Sequence, residues 1–388
     1  MTEHSDTTVV VLLPTLILTV VGASTFNILP LLAMGAARNL QFSDRQIGVM
    51  SSAMLVGSSA SALFAGLWIR SVTWPRAARY GLGGMFGAAF LLLFVHRYWL
   101  FVMLLGASGF FATAAFCLGM SILADRPEAE RGIGMAFAMQ VAYQIAVFLS
   151  GPILVQKAGL KGVIAILLAS SGLTMALTPL LPTNRTMGLA QPPNQRAFFT
   201  LPTTVALLGF GAFSVGVGAF WTYAELIGQS RGMTPHAIAD GISIGLLGGL
   251  FGAGLAGLFG GRLGKMAPLC LAMLMTFAAS LLLNTWISAA AFFASNVLFL
   301  FAWNYAPAYQ FAIANSVDRT GRAVAVAPAF GFLGAAAGAS LSALLLAPGD
   351  YRLPIWLVAA TASLSTALFA LALVIDGRAT SRMRLRRA

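Results

Sequence analysis

Between residues 9 and 375 this chain runs through twelve apolar stretches, each long enough to cross a lipid bilayer, and that pattern narrows its possible folds more than any motif. A hydrocarbon core about 30 Å thick takes roughly 20 residues of α-helix. The stretches lie at about 9–34, 45–69, 78–95, 99–123, 133–156 and 161–182, then at 201–227, 236–260, 267–284, 287–313, 323–347 and 353–375. Inside lipid every backbone donor and acceptor must be paired within the protein, so helices are favoured over open strands. Only 9% of the 388 residues are charged and 59% are hydrophobic, whereas a soluble domain carries about a quarter charged residues. The expected fold class is therefore all-α and integral to the membrane, with twelve transmembrane helices. The 41 glycines suit helices that pack closely in lipid.

The net charge of +12 at pH 7 does not point to nucleic acid, because the arginines sit in short loops between apolar runs and form no continuous basic patch. With both termini placed in the cytoplasm, 16 of the 23 basic residues fall on the cytoplasmic side. That bias is the one expected for loops retained inside, and it predicts a multi-pass protein of a bacterial-type inner (plasma) membrane. Residues Met1 to Thr7 carry Glu3 and Asp6 and no Lys or Arg, so they lack the basic start of a signal peptide. The first run is expected to stay as a span. Cys117 and Cys270 both fall inside apolar runs, which argues against a disulfide framework, and no metal-ligand spacing is present.

The longest polar connection, Thr183 to Phe199, lies midway along the chain. It predicts a first six-helix bundle over 1–182, a cytoplasmic linker over 183–199, a second bundle over 200–377 and a basic cytoplasmic tail over 378–388. A shift of 191 residues places Ser43 on Thr234, Gly57 on Gly248 and Gly66 on Gly257. A nearly equal shift places Asp125-Arg126 on Asp318-Arg319 and Arg131 on Arg322. These matches support two pseudo-symmetric copies of one six-helix unit, a pattern found in transporters.

Specific segments now carry a family resemblance over nearly the whole chain. Phe26-Asn27-Ile28-Leu29-Pro30 through Ser43-Asp44-Arg45-Gln46-Ile47-Gly48 resembles the first helix, outer loop and second-helix start of the major facilitator superfamily. Ala124-Asp125-Arg126-Pro127-Glu128-Ala129-Glu130-Arg131-Gly132 resembles its loop between the fourth and fifth helices, and Ser150-Gly151-Pro152 is similar to part of the Gly-Pro motif associated with exporters. The resemblance implies two bundles around a central cavity, rocker-switch alternating access, a monomer and no cofactor. It also implies gating loops, whose charged positions here are Arg70, Asp125, Arg126, Arg131, Arg262, Asp318, Arg319 and Arg322. The chain departs from the family where the loop after the second helix usually reads G-x-x-x-D-R-x-G-R-R. Here it reads Gly66-Leu67-Trp68-Ile69-Arg70-Ser71, and the second copy, through Gly261-Arg262-Leu263-Gly264-Lys265, also lacks the acid.

An ionisable group inside a span is costly and by default marks a pathway. Glu225 is the one acidic residue that clearly qualifies; it shares a helical face with Ser214, Gly218 and Trp221. Three readings stand for it: proton or cation coupling; a place at the membrane rim, solvated or capping the broken end of the seventh helix; and direct substrate binding. In the tenth run Asn296, Trp303, Pro307 and Gln310 form one stripe, with Asn304 beside it. Amides and aromatic rings together can hold a ring and its hydrogen-bonding groups. Gln140, Tyr143 and Gln144 in the fifth run, and Asn27 in the first, are either substrate contacts or hydrogen bonds between helices.

No Lys, Arg or His lies deep in a run, which favours neutral, amphipathic or cationic substrates over strong anions. No Gly-rich Lys loop for phosphates appears, which disfavours ATP-driven transport. No nucleophile–base pair or metal set stands at a plausible depth for an enzyme. The expectation is a secondary transporter exporting a small organic molecule against protons. The rivals are an importer or facilitator for an aromatic or sugar-like compound, and a non-transporting membrane sensor.

Overall fold

The computed structural model describes residues 3–69, 71–125, 129–182, 200–259, 262, 264–286, 288–318 and 322–385. Among them the chain forms twelve α-helices and a short 3-10 turn at Thr178–Leu180. The first two helices, α1 (Glu3–Asn27) and α2 (Leu29–Asn39), are one span bent by 42°. Pro30 stands in the first turn of α2, where it cannot donate to the preceding helix and its ring crowds the carbonyl one turn back. Next come α3 (Asp44–Trp68), α4 (Trp74–Leu92), α5 (Tyr98–Ala124) and α6 (Ala129–Leu177). The start of α3 is held by a capping box in which the Ser43 hydroxyl accepts from the Gln46 amide and the Gln46 side chain accepts from Ser43.

By length and composition nine helices among the described residues can cross a membrane, or ten with the bent α1–α2 pair. One of the nine is the 49-residue α6, about 73 Å long at 1.5 Å per residue, which is more than two crossings of a 30 Å core. It is broken at Gly159, whose φ of 58° and ψ of −146° are not helical. The break falls between the two runs expected at 133–156 and 161–182. The remaining expected span is the 19-residue α4, whose first turns are diluted by Arg76, Arg79 and Tyr80. The second half of the chain supplies α7 (Leu201–Ser230), α8 (Pro235–Phe259), α9 (Met266–Thr285), α10 (Ala289–Val317), α11 (Arg322–Leu345) and α12 (Arg352–Leu385). Each of the twelve apolar runs thus falls on helical structure.

Two compact units divide the chain. The first gathers Met1–Leu189 with Thr222–Gln229 and Thr234–Ser243, and the second gathers Ala190–Trp221, Ser230–Met233 and Ile244–Ala388. The expected linker, residues 183–199, lies outside the described residues.

Within the first unit α3 crosses α5 where Gly57 abuts the Gly106 carbonyl, and the Ser58 hydroxyl donates to the Gly109 carbonyl at 3.2 Å. In the second unit α8 crosses α10 in the same way, with Gly248 against the backbone of Val297 and Gly252 against that of Phe301. Gly57 and Gly248, matched by the internal repeat, therefore occupy corresponding helix crossings, each in its own unit. In the second unit α7 also meets α11 through Gly218, Gly334 and Gly338, where any side chain would overlap facing backbone. Small residues let helix backbones approach closely in lipid, where water supplies no hydrophobic drive for association.

Candidate functional site

Glu225 lies in the last two turns of α7, within the first unit, and is enclosed by protein with 1% of its surface exposed. That placement is not a solvated rim. Neither carboxyl oxygen has a hydrogen-bond partner among the described residues. Arg38, at the end of α2, is the cation that acts on it electrostatically. Thr222 and Gln229 stand at i−3 and i+4 from Glu225, so the three share a helical face. The Thr222 hydroxyl and the Gln229 amide nitrogen are likewise buried and unpaired among the described residues. Two contacts hold this end of α7 in the first unit. The Tyr223 hydroxyl donates to the Asp44 carbonyl at 2.9 Å, and Gly228 packs against Ile238 of α8.

The rest of the expected face behaves differently. Ser214 turns its hydroxyl back to the Phe210 carbonyl at 3.0 Å, and Gly218 closes on the backbone of Ala335 in α11. The lower part of the face is a helix–helix contact, and only its last two turns carry free polar groups.

In the second unit the α10 stripe is buried. Asn296 donates to the Phe292 carbonyl at 2.9 Å, which leaves its Oδ1 unpaired among the described residues. Gln310 is fully buried with neither amide atom paired there, and the Tyr309 hydroxyl is in the same condition. Asn304 donates to the Leu300 carbonyl at 2.9 Å and leans on Gly249 of α8. Trp303 meets Trp221 of α7 edge to face at 5.3 Å between centroids and Phe299 at 6.0 Å. The helix runs on through Pro307 without a break. An amide with unused capacity in an apolar interior costs about 1–3 kcal/mol, so the unpaired Asn296 and Gln310 atoms are a cost that packing alone does not offset.

In the first unit Asn27 and Gln144 are buried, the Asn27 amide nitrogen unpaired among the described residues; Gln140 and Tyr143 are half-buried on α6. The Tyr143 hydroxyl is buried and has no hydrogen-bond partner among the described residues.

The charged loops are only partly described. Arg70, Arg126 and Arg319 lie outside the described residues, as do the side chains of Arg131 and Arg322, while Arg262 is exposed. Asp125 closes the end of α5. Its repeat counterpart Asp318 closes α10, and its carboxylate accepts from the Ala323 amide at 2.7 Å, which holds the start of α11.

Sequence reasoning missed Arg38, Thr222 and Gln229. The i−3 and i+4 spacing around Glu225 was a signal for the last two, whereas Arg38 is distant in sequence and only folding brings it near.

A helical, twelve-span chain with unpaired buried polar groups inside its spans is built as a secondary transporter. The model of the Major Facilitator Superfamily matches residues 15–317, and the chain belongs to that family. The crystal structure of the nucleoside transporter NupG, in its D323A mutant, is similar at a TM-score of 0.72 and 14% identity, with 93% of this chain and 99% of that one covered. A bacterial homologue of the human lysosomal transporter Spinster, in an inward-facing and unoccupied conformation, is similar at a TM-score of 0.67 and 13% identity, with 95% of each chain covered. No curated protein matches the chain by sequence.

Proposed function

We propose that this member of the superfamily is a proton-coupled exporter of a small neutral or cationic organic molecule in a bacterial-type inner membrane. The observation that carries the reading is the enclosed Glu225 carboxyl, with no hydrogen-bond donor among the described residues and Arg38 as the cation acting on it. A buried carboxylate needs a partner of opposite charge, or a proton, to be tolerated at that depth. Adding or removing one proton therefore changes the stability of the enclosed state by enough to drive a conformational cycle. Outward direction is supported by the likeness of Ser150-Gly151-Pro152 to part of the exporter motif.

Substrate contacts are assigned to Asn296, Trp303, Asn304 and Gln310 of α10 with Trp221 of α7, and to Asn27, Gln140, Tyr143 and Gln144 in the first unit. The charged loop residues named above would gate access. An importer of an aromatic or sugar-like compound would use the same amides and rings, so the sign of the proton flux decides between them.

The test is proton flux in proteoliposomes with an internal pH dye, during addition of small neutral and cationic aromatic compounds. For a compound that moves protons, Glu225→Gln is expected to abolish pH-driven accumulation and to leave counterflow intact. Uphill transport persisting in that variant would rule out coupling through Glu225.

A further inference from the structure

A second feature of the first unit lies away from Glu225 and the α10 stripe. At one end of this unit a cavity of about 180 Å³ opens among the end of α2, the turn between α4 and α5, and the break in α6. Its apolar wall is Leu40, Leu92, Leu93, Val95, Leu160 and Ile164, and its polar groups come from Asn39, His96 and Lys161. Pockets for drug-sized ligands run to about 300–1,000 Å³, so this one suits a compact headgroup rather than a whole organic substrate.

The shape is built by the chain. Asn39 accepts the Leu160 amide at 2.7 Å and so starts the second half of α6. Gly159 allows that approach, because a side chain there would collide with Asn39.

Two observations fix what would fill it. The first is charge: the turns over 38–45, 93–98 and 157–161 carry Arg38, Arg45, Arg97, Lys157 and Lys161 against one acid, Asp44, with His96 among them. The second is depth. Phe94 and Trp99, on either side of His96, are 64% and 67% exposed, and bare aromatic side chains at a span's end mark the level of lipid headgroups.

We propose that this cavity binds the phosphate of an anionic phospholipid, with Lys161 and His96 facing the phosphate and the apolar wall taking the glycerol and first methylenes. One cation beside an anionic membrane surface is worth roughly fivefold in affinity.

The test uses the purified full chain in a neutral detergent, with thermal stability followed during titration with dioleoyl phosphatidylglycerol, dioleoyl phosphatidylcholine or inorganic phosphate. Phosphatidylglycerol is expected to raise the Tm, and phosphatidylcholine and inorganic phosphate are not. In Lys161→Gln the half-saturating phosphatidylglycerol concentration is expected to rise about fivefold, with the lipid-free Tm unchanged; Lys161→Arg should retain the wild-type response. Equal protection by both lipids, equal protection by inorganic phosphate, or an unaltered titration in Lys161→Gln would each overturn the assignment. Should Lys161→Gln fail to fold, Lys161→Met serves in its place, with the same shift expected and an unaltered titration again fatal.

Discussion

At the scale of single residues, Asp318 is where a structural contact and the proposed gating role must be told apart. Asp318 follows the last turn of α10 and accepts the Ala323 amide, so it supports the start of α11 whatever part it takes in gating. Replacing a capping acid by alanine costs about 1 kcal/mol. Asp318→Ala should therefore lower the Tm of the purified protein by a few degrees, and Asp318→Asn, which keeps an acceptor oxygen, should not. Counterflow in the asparagine variant then separates the two parts. Loss of transport at unchanged Tm would assign the negative charge to gating, and retained transport would leave Asp318 as a cap. Glu225 differs because no described donor satisfies its carboxyl, so its burial is not explained by a cap or a helix-to-helix bond.

At the scale of elements, the break in α6 is the clearest case of local chemistry setting topology. Gly159 adopts a φ of 58° with an extended ψ, a combination open almost only to glycine and costing other residues about 1–3 kcal/mol. Asn39 reaches it from α2 and caps the next segment. Gly159→Ala is expected to destabilise the protein by that amount, read as a fall in Tm. Gly134→Ala, in the regular part of the same helix and facing open space, is expected to leave the Tm unchanged or raise it slightly. An equal fall in both would mean that the break is not held by the glycine conformation. In α7 the same element has two characters along one face: Gly218 closes on Ala335 of α11, and its final turns present Thr222, Glu225 and Gln229.

At the scale of the whole molecule, the distribution of basic residues makes a topological prediction that requires no substrate. In a background with Cys117 and Cys270 replaced by serine, single cysteines at Arg97 and Arg352 are expected to react with a membrane-impermeant maleimide in intact cells. A cysteine at Arg262 is expected to react only after the membrane is opened. The reverse pattern would invert the proposed orientation and, with it, the side from which Glu225 would take a proton under the proposed coupling.

Periodicity and hydropathy by themselves determined the helical, many-span class, because lipid permits so few ways to pair a backbone. Even the break near residue 159 was legible as a gap between two apolar runs. Family membership was readable from the segments around Asn27, Asp44 and Asp125. The candidate site was legible only in outline. Glu225, Asn296 and Gln310 stood out because polar groups in apolar runs are rare. Which of them would be left without partners depended on neighbours far away in the chain, and so did the closing of Gly218 on Ala335, the approach of Arg38 to Glu225 and the cavity beside Lys161. Contacts of that kind are set by how side chains and helix backbones fill space together, and only the tertiary structure decides them.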